Sequence, residues 1–265
     1  MKTYNSSLSP RVINGVFEFL KPRQKENGGF SASPRLPATI EDTYCALKII
    51  SLIQKSNSQK IELKLLLNAH ITFLTRCISE GIVKGPKNLY QVLWCLNFCQ
   101  FDINQLQYLF DEYNSFRNIS LEAIYYLAKI RRLFQPNSGG KYIIFKKMPL
   151  LGTLEDQWKA LYASYANGCL EYEQESDKII TWVKQCQNSD GGFGFLPGTT
   201  SYIENCYFAL NILHLLDTAL SQNRRKAVKQ FAISCRTRSG GFSRRPDAAP
   251  FMDSTYYSVT VLSAT

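Results

Sequence analysis

Three stretches of this chain follow one pattern. "GGFSASPRLPATIEDTYCALKII" begins at Gly28, "GGFGFLPGTTSYIENCYFALNIL" at Gly191 and "GGFSRRPDAAPFMDSTYYSVTVL" at Gly240; in each, a Pro lies six residues after the first Gly, an acidic residue thirteen and a Tyr sixteen. Such a repeat constrains the architecture more tightly than composition does. A short helical unit cannot bury its apolar face alone, so units of this kind must stack on one another.

Between the copies, apolar residues recur at helical spacing, as in "VINGVFEFL" at 12–20, "YQVLWCLNFC" at 90–99 and "KIITWVKQC" at 178–186, so the fold class is all-α. Each full unit parses as a helix, a loop carrying Gly-Gly-Phe and Pro, and a second helix that opens at the acidic residue. "LYQVLWCLNF", "SLEAIYYLAKI" and "TLEDQWKALYAS" resemble the second helix without its loop. Taking Tyr44, Tyr90, Tyr125, Trp158, Tyr207 and Tyr256 as markers gives six second helices 33 to 49 residues apart. The spacing fits helical-pair repeats, and by itself leaves open whether the stack is an open solenoid or a closed ring.

With 45% hydrophobic and 13% aromatic residues, the 265-residue chain has material for a real core, and residues 1–265 are expected to form a single domain. No apolar run approaches the roughly 18 residues that span a bilayer, and the start lacks the apolar segment of a secretory signal, so a cytoplasmic protein without a transmembrane segment is expected. Eight cysteines lie in apolar or helical stretches with no CxxC pair, the pattern of buried thiols. The formal charge of +10 favours anionic partners, but the basic clusters "FKKMP", "NRRK" and "RRP" lie apart and no nucleic-acid-binding motif is present; nucleic acid is not expected.

Helix, Gly-Gly-Phe loop and Tyr-containing helix together resemble the prenyltransferase and squalene/terpene cyclase repeat family. The resemblance implies an α/α toroid of about five to six hairpins, with the marker helices inside and helices near 12–20, 62–79, 103–114, 175–187 and 220–235 outside. It also implies a central apolar cavity for an isoprenoid or its diphosphate. Tyr44, Trp94, Tyr125, Trp158, Tyr207 and Tyr256 would bind the substrate, since ring faces suit polyisoprenoids and carbocations; their plain alternative is a core role. Arg244 and Arg245, in the loop before the last acidic residue, would hold the diphosphate through guanidinium contacts.

Glu41, Glu204 and Asp253 each precede a second helix, where a carboxylate also serves as a cap against free N–H groups and the helix dipole. Three functional readings follow from the resemblance. In a transferase, "IENCYF" echoes the family's Asp-x-Cys, making Glu204, Cys206 and Asp253 metal ligands for zinc or magnesium, although His70 and His214 fall outside the motif and no imidazole joins the set. In a class II cyclase, "TIEDT" echoes Asp-x-Asp-Asp-Thr, making Glu41 the proton donor and Asp42 its neighbour. The third reading is a noncatalytic binding toroid for an isoprenoid or a protein, and the transferase reading also admits a partner subunit.

Overall fold

A computed structural model describes residues 8–56, 67–114, 120–135, 152–168 and 175–265. The described residues form eleven α-helices and no strands longer than isolated bridges. The inner set is α2 (Ile40–Ser56), α4 (Gly85–Phe98), α6 (Leu121–Phe134), α7 (Leu154–Ala166), α9 (Ile203–Leu215) and α11 (Met252–Ala264). The outer set is α1 (Pro10–Leu20), α3 (Leu67–Ser79), α5 (Gln107–Asn114), α8 (Ser176–Gln185) and α10 (Gln222–Ser234). All six markers lie on inner helices. The outer helices fall where the sequence predicts them, save that residues 62–66 lie outside the described residues and 103–106 form a 3-10 turn leading into α5.

The two sets differ in composition because they face different surroundings. Outer α8 fully buries only Ile179 and Val183, as an amphipathic surface helix does. Inner α9 buries Ile203, Asn205, Cys206, Phe208, Ala209, Ile212 and Leu213, so it is covered on several sides. Around the inner set α2 packs on α4, α4 on α6, α6 on α7, α7 on α9, α9 on α11, and α11 on α2. The circuit closes, and the fold is an α/α toroid.

The Gly-Gly-Phe loops hold the circuit together. In all three the same backbone bonds recur: Thr39, Tyr202 and Phe251 each donate N–H to the carbonyl of the Phe at 30, 193 and 242, at 3.0–3.2 Å. These three Phe side chains have no exposed surface. The first glycine of each loop lies against the backbone of the next outer helix: a Cβ on Gly28 would stand 1.9 Å from the Ala69 carbonyl oxygen of α3, and one on Gly191 2.4 Å from that of Ala227 on α10. On Gly240 it would stand 2.0 Å from the carbonyl oxygen of Gly15, on α1. The last loop therefore docks on the first helix, and Arg236 Nη2 adds a 3.0 Å bond to the Arg11 carbonyl across the same seam.

Each receiving helix carries a small residue where the glycine lands and a Phe four residues later: Gly15 and Phe19, Ala69 and Phe73, Ala227 and Phe231. One turn separates the two, so both meet the incoming loop. On α3 the residue just after Ala69 is His70, whose Nδ1 accepts the Gly29 N–H at 2.9 Å while its ring stacks on Phe30 at 5.4 Å. Burial lowers its pKa to about 4, so this histidine is a neutral part of the seam.

Two glycines of one loop separate close approach from backbone conformation. Gly191 (φ +88°) meets Ala227 as described, whereas a Cβ added to Gly198 (φ +79°) would meet nothing within 4 Å. Gly198→Ala is expected to cost about 1 kcal/mol, the strain of a positive φ alone, and Gly191→Ala at least about 3 kcal/mol because contact with α10 is lost as well. Urea denaturation of the two variants measures the difference.

Candidate functional site

Six inner helices bring their marker side chains to one level of the ring. Contact runs Tyr207–Tyr256 (5.8 Å between centroids), Tyr256–Tyr44 (6.3 Å), Tyr44–Tyr90 (5.8 Å), Tyr90–Tyr126 (5.8 Å), Tyr126–Tyr125 (4.9 Å) and Tyr125–Trp158 (6.4 Å). This annulus visits α9, α11, α2, α4, α6 and α7 with the edge-to-face and tilted geometry that aromatic quadrupoles favour. The sequence-predicted residues Tyr44, Tyr125, Trp158, Tyr207 and Tyr256 all belong to it, and Trp94 lies against Tyr44 at 5.6 Å. The Tyr125 hydroxyl accepts from Trp158 Nε1 at 3.2 Å, fixing α6 to α7.

One helical turn further along the inner helices lies a second level: Lys48, Trp94, Lys129, Tyr162, Asn211 and Thr260, each four residues after a residue of the first. Lys48, Trp94, Lys129 and Tyr162 are half-buried, as are Tyr126, Tyr207 and Tyr257 above them. The remaining rings of the first level, Tyr44, Tyr90, Tyr125, Trp158 and Tyr256, are buried. Lys129 Nζ donates to the Tyr125 hydroxyl at 3.0 Å and sits 4.4 Å from the Tyr90 ring centroid; Lys48 Nζ sits 4.3 Å from that of Trp94. Burial lowers both lysines to about 7, and for Lys48 the nearby Lys129 adds to the effect. Sequence reading stops at the markers and misses this pair, although a Lys four residues after Tyr44 and another after Tyr125 is the available signal.

At the mouth, the acidic residues tie helix starts to their neighbours. Glu41 pairs with Lys87 of α4 at 2.8 Å, Glu122 of α6 with Lys159 of α7 at 3.4 Å, and Glu204 with Arg244 from the loop before α11. Thr39 Oγ1 accepts the Asp42 N–H at 3.0 Å and donates to Asp42 Oδ2 at 2.7 Å, a reciprocal cap that Thr153 and Asp156 reproduce at 3.1 and 2.8 Å. The Glu-Asp pairs at both places thus start helices. Asp42 also lines a cleft of about 710 Å³ with Glu41, Phe73, Arg76 and Asp253, and the walls of that cleft hold none of the aromatic residues of the annulus. Burial raises the Asp42 carboxyl, and the charges of Glu41 and Asp253 add to the rise. Arg244 is paired and stacked 4.4 Å over Tyr202, while Arg245 is exposed; the loop does not aim both guanidinia at one point.

The sequence profile of the prenyltransferase alpha-alpha toroid domain matches residues 2–75 and 155–265, more than half the chain. The chain belongs to the prenyltransferase α/α-toroid family. Among solved structures, Candida albicans protein geranylgeranyltransferase-I complexed with GGPP matches with 14% identity and a TM-score of 0.45, covering 75% of this toroid and 90% of that chain. No curated protein matches it.

Membership of this family raises the question of zinc, and the residues of this toroid do not fit it. Cys206 has no exposed surface, and its sulfur receives the Phe193 N–H. In the other two full repeats the equivalent residue is Thr: Thr43 Oγ1 accepts from Phe30 N–H at 2.9 Å and Thr255 Oγ1 from Phe242 N–H at 3.0 Å. Cys206 is therefore the sulfur version of a repeated loop anchor. Burial pushes its thiol up. Glu204 is taken by Arg244, Asp253 Oδ1 accepts the Ser254 N–H at 2.6 Å, and among the described residues no three His, Cys, Asp or Glu side chains meet as a metal site. Of the expected ligands, Glu204 thus stands in an ion pair, Cys206 is buried beside Phe193 and Asp253 accepts the N–H of the residue after it.

Two outcomes follow. Cys206→Thr is expected to retain stability within about 1 kcal/mol, whereas Cys206→Val, similar in shape but unable to accept, strands a buried N–H at a cost of about 1–3 kcal/mol; thermal unfolding separates them. For the lysines, a folded pKa below the unfolded one means that the unfolded chain binds more protons, so stability rises with pH. Between pH 6.5 and 8 the gain is roughly 1 kcal/mol for each lysine. It is read as the difference in unfolding free energy between the natural chain and Lys48→Met/Lys129→Met, which cancels the titration of the thiols.

Proposed function

We propose that this toroid binds an isoprenoid in its aromatic centre and does so without zinc-dependent transfer. The observation that carries the reading is the annulus itself, whose rings come from all six inner helices and of which Tyr126 and Tyr207 keep part of their surface accessible. Ring faces and apolar walls suit an unsaturated hydrocarbon chain, which offers many dispersion contacts and no demand for hydrogen bonds. Capping and pairing of Glu41, Asp42 and Glu204 favour the binding reading over prenyl transfer from an allylic diphosphate and over cyclisation, since the polar groups those reactions would use already hold the fold.

The raised Asp42 carboxyl is the observation that speaks for protonation-initiated cyclisation. A proton donor must reach the double bond, however, and Asp42 opens to a cleft separate in its lining from the aromatic wall.

Emission from Trp94 and Trp158, recorded in a Trp182→Phe background, tests the proposal during titration with geranylgeraniol and with geranylgeranyl diphosphate. Saturable change at micromolar ligand is expected, with no diphosphate release, no cyclised product and no stoichiometric zinc by elemental analysis. Absence of any saturable change with either ligand would overturn the binding reading. One zinc per chain together with prenyl transfer to an added thiol would restore the transferase, and cyclised product abolished by Asp42→Asn would restore the cyclase.

A further inference from the structure

Lys48 on α2 and Lys129 on α6 are not on adjacent helices, yet both project into the middle of the ring at the same level. Lys48 lies against Tyr44 of its own helix and Trp94 of α4, and the charges of Lys129 and Lys55 act on it. Lys129 meets Tyr90 of α4, Tyr125 and Tyr126 of its own helix and Tyr162 of α7. Neither has a carboxylate partner among the described residues. The other polar side chains of this level satisfy themselves: Asn211 Nδ2 donates to the Tyr207 carbonyl at 2.7 Å and Thr260 Oγ1 to that of Tyr256 at 2.9 Å. Arg132, further along α6, sits 4.8 Å from the Tyr165 ring centroid and adds positive charge near Tyr162.

Two ammonium groups at one level of the inner helices, without a carboxylate partner among the described residues, are unfavourable alone, because a partly buried charge needs a partner and like charges repel. Aromatic faces attract cations but do not neutralise them. A bound anion supplies what the fold lacks. We infer that Lys48 and Lys129 form an anion site in the centre of the toroid, one turn below the annulus, that takes a phosphate or diphosphate group. A phosphate offers several acceptor oxygens to three-donor ammonium groups approaching from different helices, which suits this arrangement better than a single carboxylate does. The tyrosine hydroxyls of the annulus, with Tyr125 already bonded to Lys129, stand above it as further donors.

The site shares its hollow with the isoprenoid reading but does not depend on the hydrocarbon. For an amphiphilic ligand the inference sets the orientation: anionic group at the lysines, apolar chain up through the annulus toward the carboxylate mouth. It also separates the deep site from Arg244 and Arg245, which lie on the exposed loop at that mouth.

Inorganic diphosphate is titrated calorimetrically into the natural chain, Lys48→Met, Lys129→Met and Arg244→Ala/Arg245→Ala, with octanoate as the carboxylate probe and geranylgeraniol as the neutral one. Diphosphate is expected to bind the natural chain and the arginine variant alike and at least tenfold more weakly to each lysine variant, octanoate to bind more weakly than diphosphate, and geranylgeraniol to bind all four. At pH 8, binding to the natural chain is expected to take up protons, read from its dependence on the ionisation enthalpy of the buffer; this measurement needs no variant. Diphosphate affinity unchanged in both lysine variants, or lost only in the arginine variant, overturns the site, as does binding without proton uptake. Preference for octanoate would keep the lysines as an anion site and overturn its assignment to phosphate. Loss of geranylgeraniol binding alone, with diphosphate retained, would overturn the isoprenoid reading and leave this site standing.

Discussion

The backbone of Gly240 rests on the backbone of Gly15, and together with the packing of α11 on α2 that contact returns the last unit to the first. Helical hairpins stack readily into open arrays, because each buries its apolar side on the next and nothing in that requirement brings the last unit back to the first. Here the loop that docks each unit on the following outer helix also docks the final unit on α1. One contact type, used in the middle of the chain at Gly28 and Gly191, closes the ring when it is used at Gly240. Closure turns the shared inner faces toward one centre, and everything proposed about ligands depends on that arrangement.

The same geometry explains why the three-residue openings Glu-Asp-Thr, Glu-Asn-Cys and Asp-Ser-Thr differ so little. Their third residue must accept the N–H of a buried Phe, which Thr and Cys both do and which Val or Ala does not. Their first residue sits at a helix start, where a carboxylate is favoured by the free N–H groups and, for Glu41 and Glu204, by a cation from a neighbouring element. Burial raises the Glu204 carboxyl even though Arg244 pulls the other way, so its environment is partly dry and the pair acts as a tether between α9 and the following loop. Arg244 reinforces the tether through its backbone, whose carbonyl accepts the Ile203 N–H at 2.9 Å. A motif that resembles catalytic chemistry by residue type is thus spent on connecting repeats.

Helix class and the helix–loop–helix unit were legible because each rests on a local signal, namely period, glycine position and the acidic start, whereas the toroid and its inner and outer sets came only from the family resemblance. Ring closure was not legible, since the receiving half of the contact is written elsewhere, as Gly15 and Phe19, Ala69 and Phe73, Ala227 and Phe231, in helices whose periodicity alone gives no hint of a docking role. The surroundings of Cys206 escape sequence reading for a related reason. Its meaning comes from Phe193, thirteen residues earlier, and shows only when all three repeats are compared by hydrogen bond rather than by residue type. Lys48 and Lys129 were passed over because Lys is ordinarily a surface residue, and its environment is set by neighbours on other helices that the sequence does not place side by side.

An aromatic annulus above two lysines has a polarity that a purely apolar hollow lacks. Hydrocarbon gains contact with the rings, but at the lower level it offers Lys48 and Lys129 no acceptor beyond the Tyr125 hydroxyl that Lys129 already meets. Water or an anion is the natural occupant of that lower level, and an anion does more, since it raises the pKa of both lysines back toward their ordinary range as it binds. In the free toroid burial lowers both groups to about 7, and an anion that pairs them offsets that effect. Selectivity then resides in the vertical distance between the two levels, one helical turn, which a ligand satisfies only when its charged end and its apolar chain are joined in the right order.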